Sequence, residues 1–131
     1  MTTTSHSAKQ VFLVEDSDQI RDHLQAQIAK LPGVKVVGYA VSPQPAIVGI
    51  LDMQPDVVVL DLNLIGGSGL DVLREVRPKA PGTLFIVLTN HADAQYRKVC
   101  MAAGANHFFD KSTQFADVSR VIGEYAARSL H

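Results

Sequence analysis

Residues 56–62 read DVVVLDL, and the unbroken apolar row Val57, Val58, Val59, Leu60 constrains the fold more than any other stretch of the chain. A strand with one wet face alternates apolar and polar residues. A strand apolar at every position is buried on both faces, as in the centre of a parallel sheet. Parallel neighbours need crossovers, and helical crossovers cover both faces of the sheet. The chain supplies both parts. VFLVE (11–15), LFIVLT (84–89) and NHFF (106–109) are further short apolar runs, and VKVVGYA (34–40) alternates weakly, as a strand near an edge does.

Between these runs apolar residues recur at helical spacing. Ile20, Leu24, Ile28 and Leu31 form one such face, stopped by Pro32-Gly33. Ser42-Pro43 reads as an N-cap with proline in the first turn, ahead of Ala46, Ile47, Ile50 and Leu51. A loop of Gly66, Gly67, Ser68 and Gly69 leads to Leu70, Leu73 and Val76, ended near Arg77-Pro78. Tyr96, Val99, Cys100 and Ala103 precede Gly104, placed as a left-handed cap, and the last helix carries Phe115, Val118, Val121, Ile122 and Tyr125. Five strands alternating with five helices predict an α/β domain with a five-stranded parallel sheet and right-handed crossovers. The polar residues 1–8 are expected to be disordered and residues 9–131 to form the one domain.

Length and composition remove several classes. The 131 residues suit one domain whose core needs no disulfide or structural metal. With 47% hydrophobic and 19% charged residues, the chain is too apolar for a disordered one. Lys plus Arg number 12 against 13 Asp plus Glu, so charge makes no case for direct nucleic-acid binding or a membrane-surface role. Cys100 is the only cysteine, which excludes an intrachain disulfide and a cysteine zinc cluster. It reads as a small buried hydrophobe. The opening MTTTSHSAKQ lacks the apolar core of a signal peptide, and no apolar run reaches the ~20 residues of a membrane span. These features are those expected of a cytoplasmic domain without membrane insertion.

Ligands of open parallel sheets gather at the carboxyl ends of the strands. The first run ends in Glu15-Asp16, the third in Asp61, the fourth in Thr89, and Lys111 follows the fifth. Three carboxylates, a hydroxyl and one ammonium thus converge. Carboxylates so close repel unless a cation or protons intervene, and magnesium suits hard oxygen ligands and often bridges a carboxylate to a phosphate. Helix capping by Asp16 or Ser17 is the plainer reading of the acids. It leaves Asp61 at the end of so apolar a strand unexplained.

VFLVEDS, VVVLDLNL, FIVLTN and HFFDKS, in this order, resemble the receiver domain of two-component response regulators (CheY-like) over about residues 10 to 127. The resemblance implies a doubly wound (βα)5 fold of flavodoxin-like class with strand order 2-1-3-4-5, and a phosphoacceptor signalling switch, not an enzyme beyond its own phosphorylation and slow dephosphorylation. By the same resemblance Asp61 is the phosphoacceptor. Glu15, Asp16, Asp61 and the backbone carbonyl of Asn63 hold magnesium, with manganese able to substitute. Lys111 and Thr89 bind phosphoryl oxygens, and Phe108, three residues before the lysine, is the switch aromatic. Strand alternation alone does not separate Phe108 from Phe109. Asn63 and His91 are expected to set phosphoryl lifetime, against a plain reading of His91 as an exposed residue. The implied partners are a sensor histidine kinase or histidine phosphotransfer protein and a downstream protein, reached through the face of helix 4, strand 5 and helix 5. A phosphorylation-dependent homodimer stays open.

Two positions depart from the family. Ile65 with Gly66-Gly67 stands where proline is frequent, which predicts a looser loop. Ser112 replaces the proline after the lysine, and a cis bond there would cost roughly 2.5–4 kcal/mol, so a trans Lys111–Ser112 bond is expected. His6, His23, His107 and His131 show no ligand spacing, and Tyr96 and Tyr125 read as packing residues. Three rivals remain. Asp16-Ser17-Asp18 fits the start of a magnesium-dependent aspartyl-phosphate phosphohydrolase with Asp16 as nucleophile, although the residues that should follow are missing. A phosphorylation-independent binding adaptor is the second. The third is the receiver half of a longer DNA-binding regulator; because Arg128-Ser129-Leu130-His131 follows the fifth helix with no linker, the expectation is instead a stand-alone domain without DNA-binding output.

Overall fold

The computed structural model describes residues 8–128, so the expectation for residues 1–8 lies, apart from Ala8, outside the described residues. Five strands, β1 (Lys9–Val14), β2 (Val34–Ala40), β3 (Val57–Leu60), β4 (Leu84–Thr89) and β5 (His107–Asp110), form a sheet in the order β2-β1-β3-β4-β5. Every pairing within it is parallel. The helices are α1 (Asp18–Ile28), α2 (Pro43–Met53), α3 (Gly69–Val76), α4 (Ala94–Ala102) and α5 (Phe115–Arg128). The all-apolar run is the central strand, and VKVVGYA is an edge.

The two-residue period of each strand divides the core into two layers. Val11, Leu13, Val57, Val59, Ile86, Leu88 and Phe109 pack with Leu24 and Ile28 of α1 and with Val118, Val121 and Ile122 of α5. Phe12, Val14, Val58, Leu60, Phe85, Val87 and Phe108 point the other way. They meet Ala46 and Ile50 of α2, Val72, Leu73 and Val76 of α3, and Cys100 of α4. Val57 to Leu60 are at most 2% exposed, and each such side chain contributes about 1.5–3 kcal/mol over its exposed state. Among the described residues no helix is long and apolar enough to cross a membrane.

Several boundaries differ from the expected ones. Helix α1 ends at Ile28, and Lys30 and Leu31 make turn hydrogen bonds to Gln27 and Ile28, so Leu31 leaves the helix before Pro32. Ser42 precedes α2 in extended backbone without a side-chain cap bond, and Pro43 alone sets the first turn. The fifth strand starts one residue later than NHFF, at His107. Asn106 instead spends its side chain on the Phe85 N–H, 2.8 Å away. Helix α3 buries Gly69, Val72, Leu73 and Val76, with Leu70 half-buried. In α4 only Cys100 is buried, and Tyr96 is a surface residue at 45% exposure. Gly104 sits at φ +107°, and the Ala105 N–H reaches back to the Cys100 carbonyl, the wrapped ending expected of glycine there. The segment expected to be a loose loop is a small antiparallel hairpin, Asn63–Leu64 against Gly67–Ser68. Gly66 at φ +82° makes its turn.

Candidate functional site

Register brings the chemistry together. Val14 pairs with Leu60, Leu60 with Val87, and Val87 with Phe108. The ladder runs one step further: the Asp61 N–H donates to the Val14 carbonyl at 2.9 Å, and the Lys111 N–H to the Thr89 carbonyl at 3.0 Å. The residues just past the strand ends therefore share one edge.

At that edge Lys111 Nζ donates to Glu15 Oε1 at 2.8 Å and to Asp61 Oδ2 at 2.9 Å. All three side chains are less than a tenth exposed. Asp16 is half-buried, with a carboxylate oxygen within 4.8 Å of oxygens of Glu15 and Asp61. It caps nothing: Ser17 Oγ accepts from the Ile20 N–H, so Ser17 is the cap of α1. The Ser17 N–H donates to Glu15 Oε2 and the Asn63 N–H to Asp61 Oδ1.

Burial pushes the Glu15 carboxyl above its usual 4.5, against the hydrogen bonds from Lys111 and the Ser17 N–H. Burial also works against the Lys111 charge, yet hydrogen bonds to Glu15 and Asp61 carry its net shift above 10.5. The two upward shifts have different causes, burial for Glu15 and the two carboxylates for Lys111. A single ammonium divided between two carboxylates is held firmly by both and compensates neither in full. Three carboxylates against one ammonium leave the edge negative, and the donors are all hard oxygens. This set fits a divalent cation such as magnesium, with Glu15, Asp16 and Asp61 as the residues able to hold it.

The other expected residues fall around this centre at different removes. Thr89 is fully buried at the end of β4, and its Oγ1 accepts from the His91 N–H at 3.1 Å. Phe108 lies on the α4 side of the sheet, under the Arg97 guanidinium, whereas Phe109 lies on the α1–α5 side. Asn63 is exposed, and the pairing of Asn63 with Ser68 fixes its backbone. The His91 ring is exposed and lies tilted against Tyr96, 6.0 Å between ring centroids. The described peptide bonds are all trans, Lys111–Ser112 included. Asp18, second acid of the Asp16-Ser17-Asp18 sequence, pairs with Arg21 and not with the cluster.

Two residues that sequence reasoning passed over shape the site. Arg21 is buried, and its Nη1 donates to the Glu15 carbonyl at 2.8 Å. The available signal was a charge on the same helical stripe as Leu24 and Ile28. Gly69 opens α3 so close to Asp61 that a Cβ there would lie 1.9 Å from the Asp61 carbonyl oxygen. Its signal was one glycine among several in a loop, which does not single it out.

The chain matches the family model described as response regulator receiver domain over residues 11–122. It is 30% identical over 121 residues to the DNA-binding transcriptional activator DevR/DosR of Mycobacterium tuberculosis, covering 92% of this chain and 56% of that protein. A protein-glutamate methylesterase/protein-glutamine glutaminase of Geobacter sulfurreducens is 29% identical over 92% of this chain and 34% of its own. A LuxR-family two-component response regulator from an Aurantimonas species superposes with a TM-score of 0.84 at 27% identity, covering 92% of this chain and 86% of that one. The chain spans about half the length of the first curated relatives it matches.

Proposed function

Because the chain belongs to the response regulator receiver domain family, we propose that it is the phosphoacceptor switch of a two-component or phosphorelay system, with Asp61 as the acceptor. The observation that carries the reading is the placement of the Asp61 carboxylate, 2.9 Å from a buried ammonium and within 4.8 Å of two further carboxylates. An Asp61 oxygen attacks the phosphorus of a phosphohistidine. The new O–P bond forms as the P–N bond breaks, and the donor's imidazole leaves with the electron pair of that bond. Glu15, Asp16, Asp61 and the Asn63 carbonyl would hold magnesium, which would supply charge neutralisation at the phosphoryl oxygens. Lys111 is already aimed at the same place and shares that task.

The acyl phosphate puts a dianion where a monoanion stood. Thr89 Oγ, now accepting from the His91 N–H, turns to donate to a phosphoryl oxygen. Phe108 lies on the same face of the sheet and takes up the vacated space, which biases the surface of α4, β5 and α5 between two states. Asn63 and His91 border the phosphoryl group and tune its lifetime.

Receiver domains of this family interact with histidine kinases or phosphotransfer proteins, and one of these is the proposed donor here. The partner downstream is a protein contacted through the α4–β5–α5 face, or a second copy of the chain. Direct contact with nucleic acid is not proposed for this domain, and the proposed compartment is the cytoplasm. DNA binding, in the named relative, is a property of that longer protein.

Intact-mass spectrometry after incubation with magnesium and acetyl phosphate tests the reading. One acid-stable, hydroxylamine-labile phosphoryl adduct is expected on the wild-type chain and none on Asp61→Ala. An adduct retained by Asp61→Ala moves the acceptor elsewhere. Failure of the wild-type chain to form either this adduct or a beryllium fluoride complex favours a phosphorylation-independent adaptor.

A further inference from the structure

Arg21 is the one arginine among the described residues that is buried, at 7% exposure, and the phosphotransfer reading gives it no task. It lies on the inward stripe of α1 beside Leu24 and Ile28, where an apolar side chain would pack without desolvating a charge. Its guanidinium nevertheless has two hydrogen-bond partners and a ring against its face. Nη1 donates to the Glu15 carbonyl at 2.8 Å, Nη2 pairs with the Asp18 carboxylate, and the Tyr39 ring of β2 lies 4.0 Å from Cζ. The β1–α1 junction and β2 are thus tied to one planar group. Tyr39 stays 54% exposed while its ring face is given to the guanidinium.

The backbone consequence is specific. The Glu15 N–H donates to the Ala40 carbonyl at 3.0 Å, and the Glu15 carbonyl accepts from Arg21, so the peptides on both sides of Glu15 are fixed. The next residue is Asp16, whose own carboxylate makes no hydrogen bond among the described residues and is aimed only by its backbone. Asp18, two residues on at the start of α1, would be a further carboxylate near the cluster, and Arg21 draws it outward, where its side chain is 87% exposed.

We propose that Arg21 is a positioning residue for the cation site: through the Glu15 carbonyl it sets the direction of the Asp16 carboxylate, and through Asp18 it keeps a fourth acid out of the cluster. The proposal rests on the reading that Glu15, Asp16 and Asp61 hold a divalent cation. Groups that orient metal ligands from behind typically change metal affinity about 10–100-fold when lost, and Arg21 stands in that relation to Asp16.

Calorimetric titration of the chain with magnesium, beside metal-free thermal melting, tests it. Arg21→Ala raises the magnesium Kd about tenfold. Arg21→Lys keeps the charge without the planar fork and recovers part of the loss. Tyr39→Leu, a change at a half-exposed position, leaves metal-free melting unchanged and raises the Kd about two- to fivefold. That variant carries the test if Arg21→Ala does not fold. A merely structural arginine would shift melting and leave Arg21→Lys and Tyr39→Leu at the wild-type Kd, which overturns the proposal. A wild-type chain that binds no magnesium overturns the metal reading beneath it, so the two failures are told apart.

Discussion

Gly69 and Asp61 meet more closely than any side chain permits. A methyl group at Gly69 would sit 1.9 Å from the Asp61 carbonyl oxygen, and because the obstacle is backbone it cannot swing aside. The same carbonyl belongs to the residue whose carboxylate is proposed to accept the phosphoryl group, so packing and chemistry are coupled at one residue. Gly69→Ala is expected to cost about 1–3 kcal/mol in urea denaturation and to slow acetyl-phosphate labelling of Asp61. Normal labelling in a destabilised variant would separate the two effects. Lys111 makes a different case. Its ammonium bonds Glu15 and Asp61, two of the three acids of the cation site. Lys111→Ala removes that competing charge, so magnesium affinity, read by calorimetry, is expected not to fall, while the conformational response to beryllium fluoride, read by amide chemical shifts, is lost.

At the scale of elements, the turn between β5 and α5 shows how a trans chain is held where the family commonly has proline. Asp110 Oδ1 accepts from the Ser112 N–H at 2.8 Å and from Ser112 Oγ at 2.6 Å. Gln114 closes the turn from the other side, accepting from the Asp110 N–H at 3.0 Å and donating its N–H to the Asp110 carbonyl at 2.7 Å. The Ser112 hydroxyl and N–H hold the Asp110 carboxyl below its usual 3.8. Lys111 lies inside this turn, so its reach toward Glu15 and Asp61 depends on it. Asp110→Ala is expected to slow phosphoryl transfer to Asp61 and to lower the melting temperature. Asp110→Asn retains the acceptor oxygen and is expected to keep most of both (quench-flow labelling and melting read the pair). The small hairpin after β3 works in the same way, since the Ile65 N–H donates to the Val41 carbonyl and ties the loop beside the site to the end of β2.

For the whole molecule, His107 links the fold to pH. Burial lowers its pKa below 6.5, with Arg120 and Arg128 of α5 adding to the effect and Glu124 opposing it. Its ring stacks on Phe109 at 5.6 Å. A depressed folded-state pKa means that the unfolded chain binds this proton first as the pH falls. The His107 contribution therefore makes the fold less stable below about pH 6.5 and has no effect well above it. Urea denaturation at about pH 5 and about pH 7.5 is expected to show a smaller difference in His107→Gln than in the wild-type chain. An equal difference would remove His107 from the acid response.

The sequence by itself determined the sheet and its ends. Four apolar residues in a row could only be a strand covered on both faces, and the acids, the hydroxyl and the lysine that follow the strands then had to share one edge. Those patterns are local, with periods of two and 3.6 residues, and they survive without knowledge of the fold. What only the tertiary structure decided depends on which surfaces meet. Phe108 and Phe109 are alike in sequence, and the layer each enters separates them. Ser17 and Asp16 could both cap α1, and the Ile20 N–H reached Ser17, which left Asp16 for the cluster. Arg21 shares a helical stripe with Leu24 and Ile28, and only the fold brings the Glu15 carbonyl and the Tyr39 ring against it. Gly69 looked like loop glycine until Asp61 was set against it. Side-chain direction, contact and crowding are long-range facts, and no spacing along a chain encodes the partner that arrives from elsewhere in it.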